Sequence, residues 1–148
     1  MNLTNYKNLE IYSLAHQLTL DFYSLSEKFP EKESKNLGSQ IIRAATSIPL
    51  NIAEGSGSIS YKVFLNYLIY SYRSCLELEA ALYLVRDLNY IDEKELDNIY
   101  EKLDKFVRKL YRYMKYIEDN KLNNKNRLNK YPSAYYNQQK IILEQNKL

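Results

Sequence analysis

Between Glu101 and Tyr116 the chain interleaves cations with tyrosines. Lys102, Lys105, Lys109 and Arg112 recur at steps of three, four and three, which sets them along one flank of a helix. Arg108 and Lys115 lie close by, with Tyr111 and Tyr116 among them. Ammonium and guanidinium groups release counterions from phosphates, and aromatic rings stack on unpaired bases. The combination is therefore suited to nucleic acid. Glu101 and Asp104 interrupt the same surface, as they would on an ordinary solvated helix face.

Other chemistry is poorly represented. His16 is the sole histidine and has no second catalytic group near it, so no nucleophile–base–orienter set can be assembled. The single cysteine, Cys75, excludes an intrachain disulfide and falls on an apolar helical row, where it is expected to be a small core residue. Gly55-Ser56-Gly57-Ser58 lacks the Gly-Lys-Ser/Thr of a phosphate loop and reads as a turn. Glu77 and Glu79 do not share a helix face, and Glu79 is placed to meet Tyr83 or a lysine of the next helix. No Glu-x-x-His pair exists, which excludes di-iron bundle chemistry. No metal, cofactor or small-molecule substrate is expected, and the reading is non-enzymatic.

Periodicity supplies four helices to carry these groups. The first spans about Tyr6 to Phe29, with Ile11, Leu14, Leu18, Phe22, Leu25 and Phe29 inward, and ends at Pro30. The second spans about Ser39 to Ser56, with Gly38 and Ser39 as caps and Ile41, Ala45, Ile48 and Ile52 inward. The third, about Tyr61 to Leu88 with Ser60 as cap, carries two apolar rows. One is Phe64, Leu68, Cys75, Leu78, Leu82 and Val85; the other is Leu65, Ile69, Tyr72, Leu76 and Tyr83. Two rows exceed one intramolecular face, so the wide apolar surface of this helix is expected to be buried between subunits. The fourth starts at Asp92 with Glu95 as a capping-box partner and runs through Leu96, Ile99, Leu103, Phe106, Leu110, Tyr113 and Ile117. Short connections make neighbours antiparallel, so the expected fold is an all-α, up-down-up-down four-helix bundle over residues 5–119.

Composition agrees. With 148 residues, 45% hydrophobic and 26% charged, the chain can bury one core, and three Gly with three Pro are too few for an all-β fold. No apolar run approaches the ~18 residues of a membrane span. Met1–Asn5 lacks a basic region with an apolar core behind it, so a cytoplasmic location is expected. The net charge of +3 is uneven: residues 120–148 carry six basic groups against Glu144, a net of +5, which leaves −2 for residues 1–119. That tail, rich in Asn, Lys and Tyr, is expected to be largely disordered, with a short helix near Gln138 to Gln145.

The second helix contains Pro49, at a cost of roughly 3 kcal/mol that packing must offset. Ala44, Ala45, Ser47 and Ala53 keep its surroundings small, and the helix is expected to kink there. Asn51 can serve the carbonyl that Pro49 leaves without a donor, while Glu54 can pair with Arg43 or Arg73. This stretch closely resembles the four-helix-bundle family encoded in bacterial 23S ribosomal RNA intervening sequences. The resemblance rests on Gln40, Arg43, Ala44, Ala45, Ser47, Ile48, Pro49, Asn51, Ile52, Ala53, Glu54 and Gly55. Phe29-Pro30, Phe64, Leu68, Glu77-Leu78-Glu79 and Leu88-Asn89-Tyr90-Ile91 extend it. Ile42 replaces the first arginine of the usual pair, and Leu50 replaces a small polar residue.

The resemblance implies a homo-oligomeric bundle, often a pentameric ring. A related branch, the accessory protein of diversity-generating retroelements, binds nucleic acid and a reverse transcriptase. On that basis Arg43 joins Lys102, Lys105, Arg108, Lys109, Arg112 and Lys115 as a candidate contact to RNA or DNA, while Pro49, Asn51, Glu54 and Gly55 are structural motif residues. Two readings follow. One is an oligomeric bundle that binds nucleic acid or a nucleoprotein; the other is a protein-interaction scaffold with no nucleic-acid role.

Overall fold

A computed structural model describes residues 5–122, and every described element is helical. Helix α1 spans Glu10–Ser26, α2 Leu37–Ser56, α3 Tyr61–Asp87 and α4 Glu93–Lys121. Each packs on its neighbours in sequence, and α4 closes back on α1. The α2–α3 contact is the most extensive and the α1–α4 contact the least. This is the expected antiparallel bundle. α4 runs past residue 119 to Lys121; the remainder of the tail, with its expected disorder and short helix, lies outside the described residues.

Helix ends follow local chemistry. Ser60 Oγ accepts from the Val63 amide at 3.3 Å, and Asp92 Oδ1 accepts from the Glu95 amide at 3.0 Å. Glu95 does not complete the capping box. Its carboxylate pairs instead with Lys28, two residues past the end of α1. At the close of α3, Asn89 takes φ 54°, and the Tyr90 amide reaches back to the Val85 carbonyl at 3.4 Å. Asparagine thus fills the left-handed position that glycine usually holds in this helix stop.

Four expectations at the first two helices need correction. The segment Tyr6–Asn8 is a separate 3-10 turn, because Leu9 is extended with ψ 120°, and α1 stops at Ser26. Leu14 is 38% exposed, while Ala15 and Thr19 are buried, so the inward face is rotated toward α2. α2 starts two residues before Ser39. Gly38 is inside its first turn, and the Leu37 amide donates to Glu33 Oε2 at 3.3 Å. Gly55 and Ser56 are helical rather than part of a turn.

The third helix also differs from expectation in a way that matters for assembly. Leu65, Ile69 and Tyr72 of its second apolar row are buried within one chain, because α3 lies between α2 and α4 and needs two inward faces. What α3 leaves exposed is a sparser set that includes Tyr70, Tyr83 and Leu84, with Leu88 just past its end.

α2 passes through Pro49 as one continuous helix. Proline has no amide to give the carbonyl of Ala45, one turn back. That oxygen is served from α1 rather than by Asn51: Thr19 Oγ1 donates to it at 2.9 Å. Ser71 of α3 donates to the Ile48 carbonyl at 2.9 Å, and Ser47 bonds Ser74. Asn51 Nδ2 instead donates to the Ser47 carbonyl at 2.8 Å. Polar side chains of both flanking helices therefore meet the backbone around the proline. The small residues bring them close: Ala44 and Ala45 are buried, and a Cβ on Gly55 would stand 2.5 Å from Tyr67 Cβ.

Candidate nucleic-acid interface

α4 is strongly amphipathic, with Leu96, Ile99, Leu103, Phe106, Val107, Leu110, Met114 and Ile117 buried. Its cationic flank therefore falls at the edge of the apolar face, beside α1. There the loose α1–α4 contact leaves a long groove. One part, a cavity of about 550 Å³, is walled by Leu9, Glu10 and Ile11 on one side and by Lys105, Arg108, Lys109, Arg112 and Tyr113 on the other. The next part, about 380 Å³, has an apolar floor of Leu14, Leu18 and Phe106, with Lys102 and Asp21 at its rim. Four of the cations singled out in the sequence thus converge on one concavity, and Lys102 stands in the adjoining one.

Most of these cations have carboxylate partners. Lys102 reaches Asp21 Oδ2 at 3.0 Å, Lys105 reaches Glu101 at 2.7 Å, Arg108 Nε reaches Asp104 at 2.8 Å, and Lys109 pairs with Glu10. Arg112 is exposed and has no carboxylate within ion-pair distance among the described residues. The hydrogen bond from Lys105 holds the Glu101 carboxyl below its ordinary pKa.

The other two candidates stand apart. Lys115 is held by Glu118 at 2.9 Å and Asp119 at 3.3 Å, and the Glu118 hydrogen bond raises its pKa. Arg43 is exposed on α2, which does not adjoin α4, and lines a separate hollow with Ser26, Glu27 and Ser39.

Glu54 pairs with neither Arg43 nor Arg73. It accepts from Tyr67 Oη at 2.9 Å, which raises the tyrosine's pKa. Glu79 accepts from Tyr100 Oη at 2.7 Å, and Tyr83 adjoins that pair through the Tyr100 hydroxyl at 3.4 Å. Cys75 is fully buried, and loss of solvation pushes its thiol pKa strongly up, which makes it a core residue and a poor nucleophile. Among the described residues no cluster of His, Cys, Asp or Glu could hold a metal ion, and no helix is long and apolar enough to cross a membrane.

One part of this surface escaped the sequence reading. Next to the basic concavity, and sharing Leu9 and Tyr113 with it, is a cavity of about 230 Å³ lined also by Ser56, Tyr61, Phe64, Tyr116, Ile117 and Lys121. Periodicity alone places Tyr113 in the apolar seam and Tyr61 at a helix start. The available signal was the tyrosine pair Tyr113 and Tyr116 at the end of α4, one helical step apart.

The architecture defines a helical-bundle protein with a cationic groove and no assembled catalytic set among the described residues. The model of the 23S rRNA-intervening sequence protein family matches residues 7–112, and the chain belongs to that family. In a crystal structure, a protein of unknown function from the S23 ribosomal protein family of Bacteroides thetaiotaomicron VPI-5482 is similar, at 23% identity and a TM-score of 0.65. The match covers 71% of this chain and 98% of that one, and at this identity it speaks for the fold. No curated protein matches the chain.

Proposed function

We propose that this protein is a non-enzymatic, self-associating helical bundle that binds nucleic acid through the α1–α4 groove. The observation that carries the reading is the convergence of Lys105, Arg108, Lys109 and Arg112 on one concavity. The intramolecular ion pairs do not argue strongly against it. Exposed pairs contribute only about 0–1 kcal/mol, and a phosphate that replaces the carboxylate also gains from counterion release. They do lower the affinity, because each carboxylate must be displaced. The basic residues of the tail add to the attraction. Self-association rests on the exposed Tyr70 and Leu84 of α3, with Leu88 just past its end, and on family membership, with five subunits the count that the resemblance implies.

The test is a salt titration of RNA and DNA binding. Replacing Lys105, Lys109 and Arg112 with glutamine is expected to weaken binding and flatten its salt dependence. Loss of all binding on truncation after Asn120, with the glutamine variant unaffected, would move the site to the tail.

A second reading is favoured by the same ion pairs. A surface whose cations are already matched by Glu10, Asp21, Glu101 and Asp104 suits a protein partner better than a polyanion. Absence of nucleic-acid retardation at ~50 mM salt, where phosphate contacts are strongest, selects this scaffold reading.

A further inference from the structure

The tyrosine-lined cavity at the end of the bundle has a clear structural origin. α1 begins at Glu10, level with Lys109 through their ion pair, while α4 continues to Lys121, about three turns further. The overhanging end of α4 faces the first turn of α3, with Leu9 completing the wall. Tyr61 and Phe64 come from α3, and Tyr113 and Tyr116 from α4.

The rings are held and presented differently. Tyr113 packs edge-on against Phe64 with centroids 6.2 Å apart, and burial raises its pKa. Tyr116 is 52% exposed. The face of Tyr61 is open enough that the Lys121 ammonium lies 5.6 Å from its centre. A flexible lysine over an aromatic face is a weak contact, easily exchanged for a flat ligand.

We propose that this cavity takes one unpaired base of a single-stranded nucleic acid whose phosphates lie over Arg108, Lys109 and Arg112. The inference rests on the nucleic-acid reading above and specifies its ligand. Contiguity is the main support: the basic and aromatic cavities share Leu9 and Tyr113, so a strand crossing that ridge passes from cations to rings. A basic track beside stacking rings is how single strands are held without sequence preference. The cavity is closed behind by Phe64, Ser56 and Ile117, so a base must leave its own stack to enter, which a duplex resists. Lys121, displaced from Tyr61, is then free to meet the next phosphate.

The experiment compares three fluorescent probes at low salt: an oligouridine of about ten nucleotides, an abasic phosphodiester of equal length, and a duplex hairpin. The intact protein is expected to prefer the oligouridine. Tyr116→Ala is expected to weaken oligouridine binding about 5- to 150-fold, the range for loss of one stacked base, while leaving the abasic probe and the salt slope unchanged. Tyr116→Phe keeps the ring and is expected to restore the preference; circular dichroism confirms that both variants remain helical. The Lys105, Lys109 and Arg112 glutamine variant is expected to do the reverse, flattening the salt slope and retaining the preference. Equal binding of all three probes, or an unaltered preference in Tyr116→Ala, overturns the base pocket and leaves phosphate binding standing. Failure of every probe to bind overturns both proposals in favour of a protein partner.

Discussion

The carbonyl of Ala45 offers the sharpest test of how this bundle is held together. Pro49 deprives it of its helical donor, and Thr19 Oγ1 stands in that place at 2.9 Å, its single proton shared with the Ala15 carbonyl of its own helix, also at 2.9 Å. Both Thr19 and Ala45 are buried, at 8% and 0% exposure, so water is a poor substitute. Thr19→Val preserves the shape of the side chain and removes only the hydroxyl. It leaves one buried acceptor unsatisfied, which costs about 1–3 kcal/mol. For a domain of this size each kcal/mol corresponds to about 3–5 °C in Tm, between the values for smaller and larger domains.

The mechanism becomes specific in a double-mutant cycle. Pro49→Ala returns an amide to position 49, and that amide can serve the Ala45 carbonyl directly. In this background Thr19→Val should lose much of its cost, giving a coupling of about 1–2 kcal/mol for residues that share one acceptor. Urea denaturation of the four proteins measures it, with equal m-values as the check on two-state behaviour. Additive costs, or a neutral Thr19→Val, would refute the claim that the α1 hydroxyl compensates the proline.

Three further predictions concern packing and ionisation. Gly55→Ala places a Cβ 2.5 Å from Tyr67 Cβ and 2.9 Å from Phe64 Cδ2, so α2 and α3 must separate; a loss of at least about 1–3 kcal/mol in urea unfolding is expected. Ala45→Leu overpacks the α1–α2 contact at a fully buried position and should cost about 1–3 kcal/mol by the same assay; unchanged stability would misplace the register of α2. Burial and its hydrogen bonds raise the Tyr100 pKa above the ordinary value near 10, so the unfolded chain ionises first as pH rises. Stability is then complete below pH ~10 and falls above it, and Tyr100→Phe should make the urea midpoint fall less steeply with pH in that range.

The sequence by itself determined the four helices, the inward residues of α2, most of those of α4 (Tyr113 is only half-buried), and the caps at Ser60 and Asp92. These depend on a period of 3.6 residues and on side chains within three positions of the amides they serve, which are local properties. It also located the cations of α4 on one flank. Partners were legible only where they were local. Asn51 was the obvious nearby donor for the proline, yet Thr19, 26 positions from Ala45, reaches its carbonyl because Ala45 lets α1 come close.

The same limit governs the surface. Nothing in the spacing of Lys102 and Lys109 distinguishes free cations from ones matched by Asp21 and Glu10, which come from the other end of the chain. The apolar width of α3 pointed to a partner subunit, but two neighbouring helices of its own chain account for Leu65 and Ile69. Whether Tyr61 and Tyr116 meet depends on where α1 stops relative to α4. Tertiary packing decided these matters, because closing a bundle brings together residues tens of positions apart, and no periodicity along one helix encodes the offset between two.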